Sequence, residues 1–377
     1  MKVIVSGGGT GGHIYPALTI IRTLQKKVPD AQFLYVGTSR GLDADIIPRE
    51  GLPFNTVDIM GFERHLTPRN LVRAGKAMTG VAKSMNIVRR FHPDAAIGTG
   101  GYVCGPILLA ASLMGVPTLI QEQNVVPGIT NRILSKFVTK IAAGSPAAAA
   151  RFPKGKTVFT GNPIRAEVMT AKADKGYAEY GFSPEKKTVL VSGGSRGARV
   201  INRTMVNVLA RAKDHPEVQF LLATGKNEYD DIMKRLHDAG VDPKEHQHIV
   251  VKPYLYDMPQ AMAMADLAVF RAGATGIAEL TARGVPCILI PYPYAAENHQ
   301  EFNARELEKA GAAKVILNKD LDERTLGSAL TELLTEEGRL SAMADASRSL
   351  GKPHAADDIA QLVLDIACKD GKEEHRA

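Results

Sequence analysis

The chain contains two copies of one local pattern, in which a short apolar run leads through a glycine-rich loop into a helical stretch. Residues 3–18 read VIVSGGGTGGHIYPAL, and residues 188–202 read TVLVSGGSRGARVIN. Such a unit opens a doubly wound parallel sheet, because glycines let the chain turn sharply from a strand into a helix. Two openings in a chain of 377 residues, about twice the usual domain length, predict two Rossmann-like domains.

Further apolar runs alternate with helical patterns on both sides of the second opening. This alternation indicates an α/β protein with parallel sheets and right-handed crossovers. We predict buried strands at 2–6, 31–37, 94–100, 117–123, 140–145, the start of 188–212, 218–225, 266–270 and 286–292, with helices that include 14–28 and 104–114.

The predicted domains are an N-terminal one over 1–163 and a C-terminal one over 164–350. A C-terminal helix and tail, 351–377, can pack back on the N-terminal domain. The polar segment 170–187 is expected to be a surface connection. Ligands of doubly wound folds bind at the carboxyl ends of the strands, so we expect the two domains to face a central cleft.

Composition limits the possible partners and compartment. The formal net charge is +7, which favours an anionic partner, but no zinc-finger spacing or aromatic-basic strand motif predicts nucleic acid binding. The three cysteines, Cys104, Cys287 and Cys368, have neither metal-ligand nor disulfide spacing, as is typical of a reducing compartment. No apolar run approaches the ~20 residues needed to cross a bilayer, so we expect a cytoplasmic protein.

The first loop contains Gly7-x-Gly9-x-x-Gly12, which formally fits the dinucleotide fingerprint. A dinucleotide site also needs an acid at the end of the second strand, where this chain has GTSR at 37–40. We therefore disfavour NAD and FAD, and predict a helix N-terminus that receives another anion, unless the glycines only form a tight turn. His13 closes the loop as a candidate general base, or as a capping or packing residue.

The second half carries two more glycine loops. In SGGSRGA at 192–198, Ser195 can hydrogen-bond a phosphate. In FRAGATGIAEL at 270–280, the small residues from Gly273 to Gly276 let backbone N–H groups approach a pyrophosphate. Glu279, one turn into the helix, can accept two hydrogen bonds from a ribose diol or act only on the helix dipole. Together these loops predict a bound nucleoside diphosphate.

The sequence permits two interpretations for each of two other regions. Polar side chains crowd a strand-to-helix entry and suit sugar hydroxyls, whereas helix capping would need only one of them. The stretch 64–93 has seven Lys or Arg and no acid, and is either a core-packed helix with a solvated basic face, which the pattern favours, or a membrane-surface element. The polar entry comprises Glu297, Asn298, His299, Gln300 and Asn303; the predicted apolar face of 64–93 comprises Leu71, Met78, Val81, Met85 and Val88, and its basic face Arg69, Arg73, Lys76, Lys83 and Arg90.

Seven motifs occur in an order that resembles one family. They are GGTGGH (8–13), GTGGYVCGP (98–106), QEQNVVPGITNR (121–132), GNPIR (161–165), GGSRGARVIN (193–202), RAGATGIAEL (271–280) and ENHQEFNA (297–304). The family is MurG, the UDP-N-acetylglucosamine:lipid I N-acetylglucosaminyltransferases of peptidoglycan synthesis, and the resemblance extends to about residue 316. It implies a GT-B fold with two Rossmann-like domains. It also implies transfer of GlcNAc, with inversion, from UDP-GlcNAc to the MurNAc 4-hydroxyl of undecaprenyl-pyrophosphoryl-MurNAc-pentapeptide (lipid I), giving lipid II.

The resemblance also implies roles for single residues. His13 and Glu122 are the candidates for deprotonating or orienting the acceptor hydroxyl, and Gly8, Gly9 and Tyr102 for binding the acceptor. The implied donor residues are Thr10, Gly11, Gly12, Asn124, Arg165, Ser195, Leu255 (uracil), Gly273, Ala274, Thr275, Gly276, Glu279 (ribose), His299 and Gln300. No metal or other cofactor is implied, and the donor loops contain no Asp-x-Asp. His299, Arg196 and Cys104 depart from residues frequent in the family, namely Gln, Gln and Ser.

With this resemblance, the basic 64–93 region becomes a candidate docking surface for anionic lipid. The expected protein is peripheral, on the cytoplasmic side of the cell membrane, with other peptidoglycan-synthesis proteins as further candidate partners. Three alternatives stay open: a UDP-sugar 2-epimerase of the same architecture, another GT-B glycolipid glycosyltransferase, and a non-catalytic UDP-sugar-binding module. Intact donor and acceptor loops argue against the last.

Overall fold

The computed structural model describes residues 1–57, 68–194 and 197–369. The chain divides into two compact units. The first unit comprises Met1–Ile164 together with the segment that begins at His354, and the second unit comprises Arg165–Pro353. Each unit holds one parallel sheet.

The helices and strands are as follows, in chain order. The first unit contains β1 (Lys2–Ser6), α1 (Gly11–Lys27), β2 (Gln32–Gly37), α2 (Leu42–Arg49), β3 (Phe54–Thr56), α3 (Pro68–Phe91), β4 (Ala95–Gly98), α4 (Cys104–Leu113), β5 (Thr118–Glu122), α5 (Ile129–Leu134), β6 (Lys140–Ala143), α6 (Pro146–Ala149), a short 3-10 helix (Lys154–Lys156) and β7 (Thr157–Phe159). The second unit contains α7 (Ala166–Thr170), α8 (Ala173–Tyr180), β8 (Lys187–Ser192), α9 (Arg199–Ala212), β9 (Val218–Ala223), α10 (Tyr229–Asp238), β10 (Ile249–Lys252), α11 (Met258–Met264), β11 (Leu267–Phe270), α12 (Ala274–Arg283), β12 (Cys287–Leu289), a short 3-10 helix (Ala296–Asn298), α13 (His299–Lys309), β13 (Ala313–Val315), α14 (Glu323–Thr335) and α15 (Arg339–Leu350); the last helix, α16 (Ala355–Lys369), belongs to the first unit.

Both sheets have the strand order of a doubly wound fold. Within the described ranges, the first sheet runs β3-β2-β1-β4-β5-β6-β7 and the second β10-β9-β8-β11-β12-β13. The order reverses between β1 and β4, and again between β8 and β11, so the loops that follow these strands meet at a switch point where ligands bind. The glycine loops at 7–12 and 193–198 therefore each lie at the switch point of their sheet.

Helix α1 shows how the sequence fixes the first glycine loop. Thr10 precedes it in extended conformation, and the amides of His13 and Ile14 both donate to the Thr10 carbonyl. Its apolar residues recur at helical spacing and bury against the sheet. They pack with α16, where Ile359 and Val363 are fully buried. A helix held along its length in this way keeps its N-terminal turn in a fixed place beneath the loop.

Several expectations need correction. The segment 170–187 is not a mere connection, because it contains α8, whose Tyr180 is buried in the core of the second unit. The edge strands β3, β7, β10 and β13 were not predicted, because each has only three or four residues and β3 and β7 are largely unburied. Nothing in the described part of the chain is a helix long and apolar enough to span a bilayer.

The basic stretch 64–93 is described only in part, since 58–67 and the side chains of 68–77 lie outside the described residues. Within α3, Val88 is buried and Lys83 and Arg90 are exposed, as the helical pattern predicts. Met78 was expected on the buried face and is instead 75% exposed. Among the described side chains of α3, the buried ones are Gly80, Ser84 and Val88. Gly80 and Ser84 are small and let α3 lie close to its neighbour.

Candidate active site

The first glycine loop is fixed by hydrogen bonds from neighbouring strands. The Gly8 amide donates to the Gly100 carbonyl (3.3 Å), and the Gly9 amide donates to Oδ1 of Asp43 (3.4 Å). The hydroxyl of Tyr35, fully buried in β2, donates to the Gly7 carbonyl. These contacts join the loop to β2, to the turn after β4 and to α2, so the loop is pre-formed.

His13 lies in the first turn of α1, with its ring turned back onto this loop. Nδ1 is 3.0 Å from the Gly8 carbonyl oxygen and 3.3 Å from Oγ1 of Thr10. Because a carbonyl oxygen can only accept, Nδ1 carries the proton, and the neutral ring keeps its lone pair on Nε2. The geometry therefore sets the tautomer that a general base needs.

The turn after β4 lies against the His13 ring. Gly100 and Gly101 both have positive φ, at 111° and 84°. A Cβ on Gly100 would lie 2.7 Å from Cδ2 of His13, and one on Gly101 would lie 2.5 Å from the Gly8 carbonyl oxygen. Glycine is thus required twice here, for conformation and for close approach. Tyr102, a predicted acceptor-binding residue, follows immediately, is partly exposed and lies beside Gly9 of the glycine loop.

Asp43 is a functional residue that the sequence reasoning missed. Its carboxylate is fully buried and accepts from the amide and hydroxyl of Thr38 as well as from the Gly9 amide. Oδ1 thus accepts from the glycine loop and Oδ2 from Thr38, so the carboxylate links the loop to the residue that follows β2. The sequence has no acid at 37–40, which disfavoured a dinucleotide. The next acid along the chain, Asp43, supports the glycine loop instead of a ligand. The sequence signal for this role is weak: Thr38 precedes Asp43 by five residues, and Asp43 lies in the first turn of α2.

Glu122 ends β5 and is surrounded by donors. Oε1 accepts from the Asn124 amide (3.0 Å) and its Nδ2 (3.3 Å), and Oε2 accepts from the Gly128 amide (3.1 Å) and Nδ2 of Asn131 (2.9 Å). The side chain is almost fully buried. These four donors occupy both carboxylate oxygens and fix the loop that carries Asn124. This arrangement suits an organising carboxylate better than a base that must reach a substrate.

The loop after β8 has the same construction as the first. Gly194 and Gly197 have positive φ, at 87° and 74°, and a Cβ on Gly197 would collide with the Thr224 carbonyl. Nδ2 of the fully buried Asn202 donates to that same carbonyl (2.8 Å). Ser195, the predicted phosphate ligand, and Arg196 lie outside the described residues.

The loop after β11 leads into α12 with room in front of the helix. Gly273 is the N-cap residue, followed by Ala274, Thr275 and Gly276 in the first turn. A Cβ on Gly273 would meet nothing within 4 Å. The first amides of an α-helix have no partner within the helix, and they attract anions. Open space at this helix start fits the predicted diphosphate.

Glu279 and Arg165, predicted separately, form one bidentate ion pair. Nε of Arg165 is 2.7 Å from Oε1 of Glu279, and Nη2 is 3.0 Å from Oε2. Glu279 is almost fully buried and Arg165 is one-third exposed. Burial by itself lowers the pKa of Arg165, but the hydrogen bond and charge of Glu279 outweigh it and leave the pKa above its ordinary value. The carboxylate retains lone pairs for further donors.

The polar entry to α13 is held in an uncommon conformation. Glu297 and Asn298 both have positive φ, at 53° and 52°, which non-glycine residues rarely adopt. His299 Nδ1 lies 2.7 Å from the Ala296 carbonyl, so it donates there. Gln300 Oε1 accepts from the Tyr292 amide (2.9 Å). Such strained turns cluster at ligand sites.

Asn303, from the polar entry, and Leu255, a predicted donor residue, also have defined contacts. Asn303 Nδ2 donates to the carbonyl of Ala272 (3.3 Å), which links α13 to the loop before α12. Leu255, predicted to meet uracil through its backbone, has a buried side chain in the core of the second unit. Tyr254 and Tyr256 flank it, with ring centroids 4.8 Å apart. The side chain of Leu255 therefore anchors the segment, whose backbone can face a ligand.

Comparisons with known proteins define the class. The Glycosyltransferase family 28 N-terminal domain matches residues 3–143, and the Glycosyltransferase family 28 C-terminal domain matches residues 188–362. These matches and the two parallel sheets with glycine loops at their switch points define a GT-B glycosyltransferase.

Individual relatives narrow the class. The UDP-N-acetylglucosamine–N-acetylmuramyl-(pentapeptide) pyrophosphoryl-undecaprenol N-acetylglucosamine transferase of Desulforudis audaxviator is 44% identical over 370 residues, 98% of this chain and 99% of that protein. The crystal structure of MurG from Acinetobacter baumannii is 28% identical, with a TM-score of 0.76 and coverage of 97% and 99%. The chain belongs to the family of these N-acetylglucosamine transferases, as its motifs predict. A putative UDP-N-acetylglucosamine 2-epimerase from Listeria monocytogenes (16% identity, TM-score 0.70, coverage 99% and 97%) shares only the fold.

Proposed function

We propose that this protein transfers N-acetylglucosamine from UDP-GlcNAc to the 4-hydroxyl of MurNAc in lipid I, which forms lipid II with inversion at the anomeric carbon. The observation that carries the proposal is the similarity, over almost the whole chain, to a relative named for this transfer. The local chemistry is consistent with it, because a histidine of defined tautomer and an open helix N-terminus supply the base and the anion site that the reaction needs.

On the acceptor side, His13 is the general base. Nε2 takes the proton of the MurNAc 4-hydroxyl, and the electron pair of that O–H bond forms the new bond to C1 of GlcNAc. The Gly8 carbonyl, bonded to Nδ1–H, then stabilises the imidazolium that results. Gly8, Gly9 and Tyr102 bind the acceptor, whose diphosphate is attracted to the N-terminal end of α1. Glu122 organises this side and does not take the proton.

On the donor side, the bond between C1 and the β-phosphate oxygen breaks as the new bond forms, and UDP leaves with the electron pair. The amides at the start of α12, from Gly273 to Gly276, stabilise the growing charge on the phosphates, together with Ser195. Glu279, held by Arg165, accepts from the ribose hydroxyls. His299 and Gln300 contact the sugar, and the backbone of Leu255 contacts uracil.

The test is a transfer assay with purified protein, labelled UDP-GlcNAc and a short-chain lipid I analogue. Label should enter the lipid in a β-1,4 linkage. His13→Ala should lower kcat by about 10²- to 10⁴-fold, while UDP binding, measured by calorimetry, stays unchanged. His354→Ala, at an exposed histidine where α16 begins, is the control and should transfer normally. If wild type forms UDP-ManNAc without acceptor and transfers nothing, the protein is an epimerase and the proposal is wrong.

We further propose that the first unit docks on the cytoplasmic face of an anionic membrane. Around α5, Ile129, Ile133 and Phe137 are about half exposed at a spacing of four residues, with exposed Arg132 and Lys136 beside them. An apolar row flanked by cations suits the lipid interface, and the basic 64–93 region would extend the same attraction.

Vesicle flotation tests the docking. Ile133→Asp should lose binding to vesicles that contain anionic lipid. Leu350→Asp, at an exposed leucine of the second unit, should not. Equal binding by both variants would contradict this surface. If wild type also binds neutral vesicles equally well, the basic residues have no role in the docking.

A further inference from the structure

Three amide side chains are buried together beneath the first glycine loop. This amide cluster consists of Gln121 and Gln123, at the end of β5, and Asn162, two residues before the first unit ends. Nε2 of Gln121 donates to Oδ1 of Asn162 (2.9 Å), and Nδ2 of Asn162 donates to the Gln123 carbonyl (3.0 Å). Gln123 Nε2 also donates to Oε1 of Gln121. The three side chains therefore hold each other in one arrangement.

The amide cluster is connected to His13 through one buried threonine. Nε2 of Gln123 donates to the Thr99 carbonyl (2.6 Å), and Oγ1 of Thr99 donates to the His13 carbonyl (2.8 Å). The next residue, Gly100, lies directly against the His13 ring. Thr99 is fully buried and has little freedom to adjust. A shift of Thr99 would thus move both the backbone of His13 and the wall that its ring rests on.

We propose that Gln123, held by Gln121 and Asn162, is a positioning residue for His13. Its donor fixes Thr99 and Gly100, which keep the His13 ring at hydrogen-bond distance from the Gly8 carbonyl and so maintain the proton on Nδ1. An amide suits this role because it does not titrate, so the position of the base does not change with pH. The activity readout rests on the proposed transfer, whereas the state of the His13 ring does not.

Gln123→Met tests the proposal, because it keeps the length of the side chain and removes its donor. The matched control is Gln219→Met in the second unit. Gln219 is similarly buried and donates to the Ser183 carbonyl (2.9 Å) and to Oγ1 of Thr188 (3.2 Å). We expect Gln123→Met to lower kcat by about 10- to 100-fold, with the KM for UDP-GlcNAc within twofold. Gln219→Met should leave kcat within threefold of wild type.

A double-mutant cycle separates positioning from general damage to the fold. In a His13→Ala background, Gln123→Met should cause no further loss of kcat, because the residue it positions is gone. The same fold-loss in both backgrounds would overturn the proposal. Asn162→Asp, which keeps the acceptor for Gln121 and removes the donor to Gln123, gives a milder second variant if Gln123→Met folds poorly. Its loss should have the same sign and the same dependence on His13.

The tautomer of His13, read from its ring ¹⁵N shifts, provides a test without substrates. Wild type should show the proton on Nδ1, and Gln123→Met should show a larger fraction with the proton on Nε2. An unchanged tautomer ratio in a folded Gln123→Met would overturn the inference, even if that variant transfers more slowly than wild type. If wild type transfers nothing but the ratio changes as expected, the proposed function fails while the positioning role of Gln123 stands.

Discussion

Replacing Gly101 by alanine should inactivate the enzyme by displacing one carbonyl. The new Cβ would lie 2.5 Å from the Gly8 carbonyl oxygen, where ordinary contact begins at 3.4 Å, so the loop must move by about 0.9 Å. That oxygen accepts from Nδ1 of His13 at 3.0 Å, and the shift breaks or bends this bond. A displacement of roughly 1 Å at a catalytic group costs about 10²-fold in rate, which we expect in kcat.

Gly115→Ala supplies the matched control. Gly115 has nearly the same φ (79° against 84°), but its Cβ would meet nothing within 4 Å. Both variants should lose about 1–2 kcal/mol of stability from the left-handed alanine, measured as the free energy of unfolding in urea. Transfer assays with the lipid I analogue should then separate them, because only Gly101→Ala displaces the loop. Similar kcat values for two folded variants would refute the reasoning.

Three further predictions concern buried groups. Arg165→Met should raise the Kd for UDP by about 10- to 100-fold in calorimetric titration, because Glu279 loses the charge-assisted bonds that orient it. Arg165→Lys, which keeps the charge, should raise the Kd by a smaller factor. Burial raises the pKa of the Cys104 thiol to about 11, above its ordinary 9.0. The stability that the neutral thiol contributes is therefore complete below pH 9 and is lost as pH rises through 11. Cys104→Ser should reduce the fall in the free energy of unfolding between these two pH values. Glu122→Gln, which removes charge and part of the acceptor set, should lower the melting temperature and reduce kcat. It should not change the acidic limb of the pH profile of kcat, since the base that we propose is His13.

The sequence is sufficient for the central strands because they are buried on both faces. Residues 3–5 and Leu267–Phe270 are continuously apolar, and each run lies shortly before a glycine turn. The edge strands lack this signal, since β7 is exposed along two of its three residues. An edge strand forms because its backbone hydrogen-bonds to a neighbouring strand of the sheet. The pattern of a single sequence does not reveal that pairing.

The limits at the site have a similar cause. Glycines, His13 and Glu279 are recognisable because their spacing after a strand implies chemistry. Asp43 and Gln123 act through backbone groups of residues that are 34 and 24 positions away, at Gly9 and Thr99, and such pairings exist only in the folded chain. Met78 illustrates the opposite error, because a large apolar side chain at helical spacing is exposed while Gly80 and Ser84, in the described part of α3, are buried.

The two acids predicted to do chemistry show why burial alone does not assign a role. Glu122 and Glu279 are both almost fully buried; Glu122 is the last residue of β5, and Glu279 lies in α12, the helix after β11. Glu122 has four donors on two oxygens, so its bonding capacity is filled by its own loop. Among the described residues, the partner of Glu279 is Arg165, which occupies one site on each oxygen and leaves the others to accept from a diol. The number of acceptor sites already used therefore distinguishes an organising carboxylate from a ligand-binding one, and it supports our proposal that Glu279 binds the donor.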